Sequence, residues 1–141
     1  MLITGRGISK GIGKGPLLVS PAPLSFLSGV DPETGVVVEK GHPLEGRSIA
    51  GMVLAFDFGK GSTVGSYVLY ALARNGHAPA AIINTEAEPI VAVGAIIGGI
   101  PMIDRTGIPL LQLRSGVIAS VNGDTGELVV EDSFADENDG S

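Results

Sequence analysis

Within the stretch FDFGKGSTVGS, residues 56–66, the segment GKGST places a cation, two glycines and two hydroxyls in one short turn. Three kinds of chemistry suit such a turn: a phosphate cradle, a helix cap, or the mount of a catalytic hydroxyl. The nucleotide-binding loop needs G-x-x-x-x-G-K-[ST]; here Gly61 separates Lys60 from Ser62, and no glycine stands at the required upstream position. GRGISKG (5–11) and GKGSTVG (59–65) each miss the dinucleotide spacing G-x-G-x-x-G by one residue. Spacing therefore excludes the nucleotide readings.

Two readings stay open. Ser62 or Thr63 caps a following helix by accepting a hydrogen bond from an orphan amide. Alternatively, the two glycines let the backbone approach a ligand, while the helix N-terminus and Lys60 supply a field that favours an anion. That field suits a serine alkoxide acting as a base, and it suits a substrate carboxylate or phosphate equally well. The pattern alone does not separate base from anion holder.

The remaining polar candidates are scattered. His42, in EKGHPLEGRS, precedes a proline that favours extended backbone, and reads either as a turn residue or as a polar contact in a cleft. Asp104 and Arg105, in PMIDRTG, follow a strand-like run, a place where ligands often bind in α/β folds. Arg47, Asp57 and His77 default to surface or hydrogen-bonding roles.

These residues need elements to hold them. GPLLVS (15–20) and the β-branched runs within 35–56 read as strands. Between them lies an apolar, proline-containing loop, PAPLSFLSGVDPETG (21–35), which must pack on its own domain or on a partner; Pro32 and Gly35 suit its terminal turn. Val64, Val68, Leu69, Leu72 and Ala73 share one helical face, so residues 63–74 are expected to form a helix stopped at Asn75-Gly76. Residues 78–84 read as a buried strand and 86–99 as a short helix weakened by Gly94. The runs 100–104, 108–113, 116–126 and 127–132 read as short strands, with NGDTG making a hairpin turn. That order indicates an α/β or α+β domain with helices against a sheet.

Composition narrows the function. A chain of 141 residues supports one domain with a substantial core. With 44% hydrophobic but only 4% aromatic residues, that core must be aliphatic, and 22 glycines imply many tight turns. The net charge of −6, with basic residues scattered, argues against a nucleic-acid surface. With no cysteine, the chain has no disulfide, thiol nucleophile or thiolate ligands for an iron–sulfur cluster of its own. His42 and His77 are its only histidines, too few for a self-sufficient transition-metal site. No apolar signal core opens the sequence, and the most apolar run (89–103) is shorter than a bilayer span, so a cytoplasmic protein is expected. The acidic segment 131–141 reads as a solvated, frayed end outside a single domain spanning 1–130.

Three ordered stretches together resemble a known family: PLSFLSGVDPETGVV (23–37), HPLEGRSIAGMVLAFDFGKGSTVGSYVL (42–69) and APAAIINTEAEPIVAVGAIIGGIPMID (78–104). They are similar to the small, swivel-domain subunit of the aconitase X family. The resemblance implies a swivelling β/β/α fold, like the mobile fourth domain of aconitases. It also implies half an enzyme: a large subunit holds an iron–sulfur cluster of the four-iron, four-sulfur type on its cysteines, and the small subunit closes over the substrate. The apolar loop then gains a second possible partner in that large subunit.

One branch of the family dehydrates (R)-5-phosphomevalonate to trans-anhydromevalonate 5-phosphate in an archaeal mevalonate pathway. Another dehydrates cis-3-hydroxy-L-proline, often as one fused chain. A separate chain beginning at Met1 favours the first branch as the expectation. The family assigns the base to the serine of the Gly-rich turn, which matches Ser62. Lys60, Gly61, Thr63 and His42 are then the candidates for binding substrate or stabilising the alkoxide. Ordinary aconitases place arginine beside that serine, whereas here Thr63 follows it and the nearest cation is Lys60. A non-catalytic, anion-binding regulatory module is the alternative from a different class.

Overall fold

A computed structural model describes residues 2–57, 59–60 and 64–131. The Gly-rich turn residues Gly61, Ser62 and Thr63 and the acidic segment from Asp132 onward lie outside the described residues.

Among the described residues, ten strands and three helices follow one another as β1 (Leu2–Thr4), β2 (Arg6–Ser9), β3 (Ile12–Val19), β4 (Leu24–Ser25), α1 (Phe26–Gly29), β5 (Val53–Phe56), β6 (Gly59–Lys60), α2 (Val64–Arg74), β7 (Ala81–Asn84), α3 (Pro89–Gly98), β8 (Met102–Asp104), β9 (Ile118–Asn122) and β10 (Glu127–Val130). Eight strands form one sheet in the order β1-β10-β9-β3-β5-β7-β8-β2, and β4 pairs separately with β6. The first part of β3, Ile12–Pro16, runs antiparallel to β9, while Leu17–Val19 runs parallel to β5. One strand thus serves an antiparallel layer (β1, β10, β9) and a parallel layer (β5, β7, β8). The layers approach closely where Gly13 faces Ala80, since a Cβ on Gly13 would collide with the Ala80 carbonyl.

The parallel strands are buried throughout, as strands covered on both faces must be. Their alternation divides the core in two. Leu54, Phe56, Ile82 and Met102 meet Phe26, Leu69, Leu72, Val91 and Ala95 from the helices. Val53, Ala55, Ala81, Ile83 and Ile103 meet Ala119, Val121, Leu128 and Val130 from the antiparallel layer. The result is the expected β/β/α layering.

Local rules account for most boundaries. Helix α2 stops where Gly76 takes φ 78° and the His77 N–H reaches the Leu72 carbonyl at 2.9 Å. Helix α3 starts with Pro89 behind Glu88, whose carboxylate accepts from the amides of Ile90 and Val91. The helix continues through Gly94 despite its propensity cost, because close packing needs a glycine there. A Cβ there would lie 2.7 Å from Leu69 Cδ1 and 3.0 Å from Ser66 Cα, so its smallness lets α3 press onto α2.

Two expectations differ from the fold, and one left open is decided by it. Residues 108–113 contain a 3-10 turn, Leu110–Gln112, rather than a strand; Leu110 and Leu113 pack under the antiparallel layer without ladder pairing. Within 35–56, residues 35–49 form loops fastened by isolated bridges, Val30 with Val37 and Val36 with Ser48, and only Val53–Phe56 becomes a strand. The apolar loop turns inward: Leu24, Phe26 and Val30 are buried, and the Phe26 ring meets Phe56 at 5.9 Å between centroids. Those side chains pack on their own domain, not on a partner.

Candidate functional site

Parallel strands β3, β5, β7 and β8 end side by side at Val19, Phe56, Asn84 and Asp104, and the chemistry-bearing residues gather just beyond. Hydrogen bonds continue past the strands. The Thr85 N–H donates to the Asp57 carbonyl and the Arg105 N–H to the Thr85 carbonyl, both at 3.1 Å. Thr85 Oγ1 donates to Asp57 Oδ1 at 2.7 Å. Asn84 is fully buried; its Nδ2 donates to the Phe56 carbonyl at 3.0 Å, whereas its Oδ1 has no partner among the described residues.

The Gly-rich turn leaves this same edge. It departs from β5 through Asp57, pairs Gly59 and Lys60 with Leu24 and Ser25, and re-enters described structure at Val64, the first residue of α2. Lys60 is therefore fixed by its backbone in a short parallel pair. Gly61, Ser62 and Thr63 fall between that pair and the helix N-terminus.

His42 supports this arrangement from behind. The Leu44 N–H donates to its Nδ1 at 3.0 Å, so the other nitrogen carries the hydrogen and donates to the Pro23 carbonyl at 3.1 Å. Both ring nitrogens of this buried side chain are thus used by backbone. The residue ties the 42–44 turn to the residue preceding β4, the strand that pairs with Lys60.

Farther along the edge, four charges interlock. Asp104 is fully buried yet accepts from Arg6 Nε at 2.9 Å, from Arg6 Nη2 at 2.7 Å and from the Ala87 N–H at 2.7 Å. Burial alone would push its carboxyl pKa up; the hydrogen bonds from Arg6 and Ala87, with the charges of Arg6 and Arg105, outweigh burial and hold it below the usual carboxylate value. Arg105 makes a matching fork to Glu86, with Nε to Oε1 at 3.1 Å and Nη2 to Oε2 at 2.9 Å. That fork lowers Glu86 and raises Arg105. Arg105 and Thr106 line a cleft with Thr85, Gly107, Ile108 and Pro109.

Sequence reasoning placed Asp104 and Arg105 at a strand end, which the fold bears out, and left Asp57 as a hydrogen-bonding residue, which it is. It did not single out Arg6, Asn84 or the partnership of Glu86 with Arg105. Arg6 lies 98 residues from Asp104, so no local pattern could join them. Arg47 and His77 are not brought to this edge by any described side-chain contact. Among the described residues no group of His, Asp and Glu is arranged to hold a metal ion, and no helix is long and apolar enough to cross a membrane.

Comparison with known proteins agrees with this architecture. The aconitase X swivel domain family matches residues 2–130. A Pyrococcus abyssi protein named phosphomevalonate dehydratase small subunit is 53% identical over 130 residues, covering 92% of this chain and 98% of that protein. The crystal structure of Thermococcus kodakaraensis aconitase X in its holo-form superimposes with a TM-score of 0.88 at 51% identity, covering 94% of this chain and 99% of that one. A solution NMR structure of a UPF0107 protein superimposes at 0.86 with 41% identity, covering 94% and 100%. By sequence over residues 2–130 and by fold, the chain belongs to the aconitase X swivel-domain family.

Proposed function

We propose that this chain is the small subunit of a cytoplasmic, two-subunit phosphomevalonate dehydratase, and that Ser62 is its proton acceptor. The observation that carries the reading is the 53% identity to a protein of that name over nearly its whole length. The reaction removes a proton from the carbon beside the carboxylate of (R)-5-phosphomevalonate and hydroxide from the neighbouring carbon. A double bond forms between the two carbons, and water is the second product.

An iron–sulfur cluster bound in the large subunit would supply Lewis acidity toward the departing hydroxyl. This chain has no cysteine and offers no thiolates to such a cluster. Its own task is to present a base and to close the site. Lys60, held in the β4–β6 pair, and the N-terminus of the eleven-residue α2 flank the stretch containing Ser62. Their positive field favours an alkoxide there. On this reading the amides of Gly61 and Thr63 would serve the same end, and His42 acts indirectly by fastening Pro23 next to β4. Mounting base and metal on separate bodies gives the swivel its purpose, since closure assembles the site and excludes water.

The test is reconstitution with the cluster-bearing large subunit and assay on phosphomevalonate and on cis-3-hydroxy-L-proline. Ser62→Ala should abolish dehydration while leaving fold and subunit association intact. Activity within a few-fold of the parent removes Ser62 as the base, and a stability loss of about 1 kcal/mol with chemistry spared identifies a cap.

A further inference from the structure

One carboxylate stands between two guanidiniums at the edge of the cleft. Glu86 accepts the two-pronged fork of Arg105 and also lies 3.7 Å from Arg6 Nη2. The two cations are not held alike. Arg6 is anchored by fully buried Asp104, whereas Arg105 and Glu86 keep 56% and 62% of their side-chain surface exposed. An exposed pair of this kind contributes little to stability, so Glu86 is readily displaced.

The backbone at Arg105 is also unusual. With φ at 54° it is the only non-glycine residue in the left-handed region among the described residues. Strain of this kind persists only where surrounding structure enforces it, and it concentrates at ligand-binding positions. Here the Thr85 carbonyl holds the Arg105 N–H, and the conformation delivers the side chain to the cleft it lines with Thr85 and Thr106. Thr85 in turn bonds Asp57, the residue from which the Gly-rich turn departs.

A fixed fork of N–H donors matches a phosphate monoester as well as a carboxylate, and a dianion with three acceptor oxygens binds it more strongly than one glutamate does. We propose that Arg105, backed by Arg6, forms an anion subsite that Glu86 occupies in the absence of ligand, and that in the assembled enzyme this subsite takes the phosphate of the substrate. The assignment of the ligand rests on the proposed function; the exchange of Glu86 for a phosphate does not.

The experiment uses the reconstituted two-subunit enzyme, with inorganic phosphate as competing probe. Arg105→Gln should raise KM for phosphomevalonate and the inhibition constant of phosphate at least tenfold, with kcat within about threefold of the parent. Arg105→Lys should recover part of the loss, and Glu86→Gln should tighten both constants several-fold. Circular dichroism verifies that each variant is folded. Unchanged KM and phosphate inhibition in Arg105→Gln overturn the proposal, as does a defect that vanishes at saturating large subunit, which would assign Arg105 to subunit docking. If the parent complex fails to dehydrate phosphomevalonate, the functional reading fails instead. Calorimetric titration of parent and Arg105→Gln complexes with phosphate then decides the subsite on its own: weaker binding to the variant supports it, and equal binding overturns it.

Discussion

Asp104 and Arg6 are separated by 98 residues and meet through two hydrogen bonds of 2.9 and 2.7 Å, with the carboxylate sealed from solvent and the guanidinium half open to it. The pair fastens β2 to the end of β8, the strand that delivers Arg105. The same contact therefore closes one edge of the sheet and sets the base of the cleft.

Replacing Asp104 by alanine leaves the Ala87 N–H without its acceptor and Arg6 without its anchor. The expected loss of folding stability is about 1–3 kcal/mol, the usual cost of stranding partners of a buried charged acceptor. Urea unfolding of parent and variant measures it. A midpoint unchanged by Asp104→Ala contradicts the role assigned to the pair.

Acid should act through the same carboxyl. Asp104 titrates below its ordinary value of 3.8 in the folded chain, so its stabilisation is complete above that value. It is lost as pH falls and the folded-state carboxyl takes up its proton. Glu86 shifts in the same direction but is exposed and adds little. Urea midpoints across pH 2–7 should drop in the acid range, and Asp104→Asn should flatten that drop.

The α2–α3 crossing makes Gly94 intolerant of even a methyl group. Alanine would gain about 1 kcal/mol of helix propensity, but it must displace Leu69 and the Ser66 backbone, where overpacking costs roughly 1–3 kcal/mol. A net fall in melting temperature is expected for Gly94→Ala, and valine should be worse. A rise in melting temperature would show that α3 can move away from α2 freely.

For His42, the two backbone bonds predict a structural role. His42→Ala should destabilise the fold by about 1–2 kcal/mol through loss of both bonds in a buried setting. In the reconstituted enzyme KM should stay within twofold of the parent once folded protein is counted. A large rise in KM at unchanged stability would return His42 to the substrate.

Short-range chemistry made much of this fold legible. Periodicity located α2, the NGDTG turn located the β9–β10 hairpin, and Asn75-Gly76 located a helix stop. Long-range events were not legible. Strands β1 and β2 are three and four residues long, too short for an apolar alternation to show, and their partners β10 and β8 lie far along the chain. Glycines divide the same way. Gly76 serves a turn with open space beside it, as its Asn-Gly pair suggested, while Gly13 and Gly94 are small because another segment lies against them, a reason visible only in three dimensions. Of the candidate site, the strand-end position of Asp104 and Arg105 could be read locally. The ring of Arg6, Asp104, Arg105 and Glu86 could not, since it joins three separate segments. Ser62 rests on family resemblance, and the strands and helix around it locate its neighbourhood.

Strands β1 and β2 are neighbours in sequence, yet they pair at opposite edges of the eight-stranded sheet. In time, this makes the first strands among the last to be paired. During synthesis β2 must wait for residues 102–104 and β1 for residues 127–130. Neither edge of the sheet can be completed from the first two thirds of the chain, and contacts of such long sequence separation slow folding. Because Arg6 lies in β2, the charged end of the cleft waits for residues 102–104, although Arg6 itself is among the first residues made.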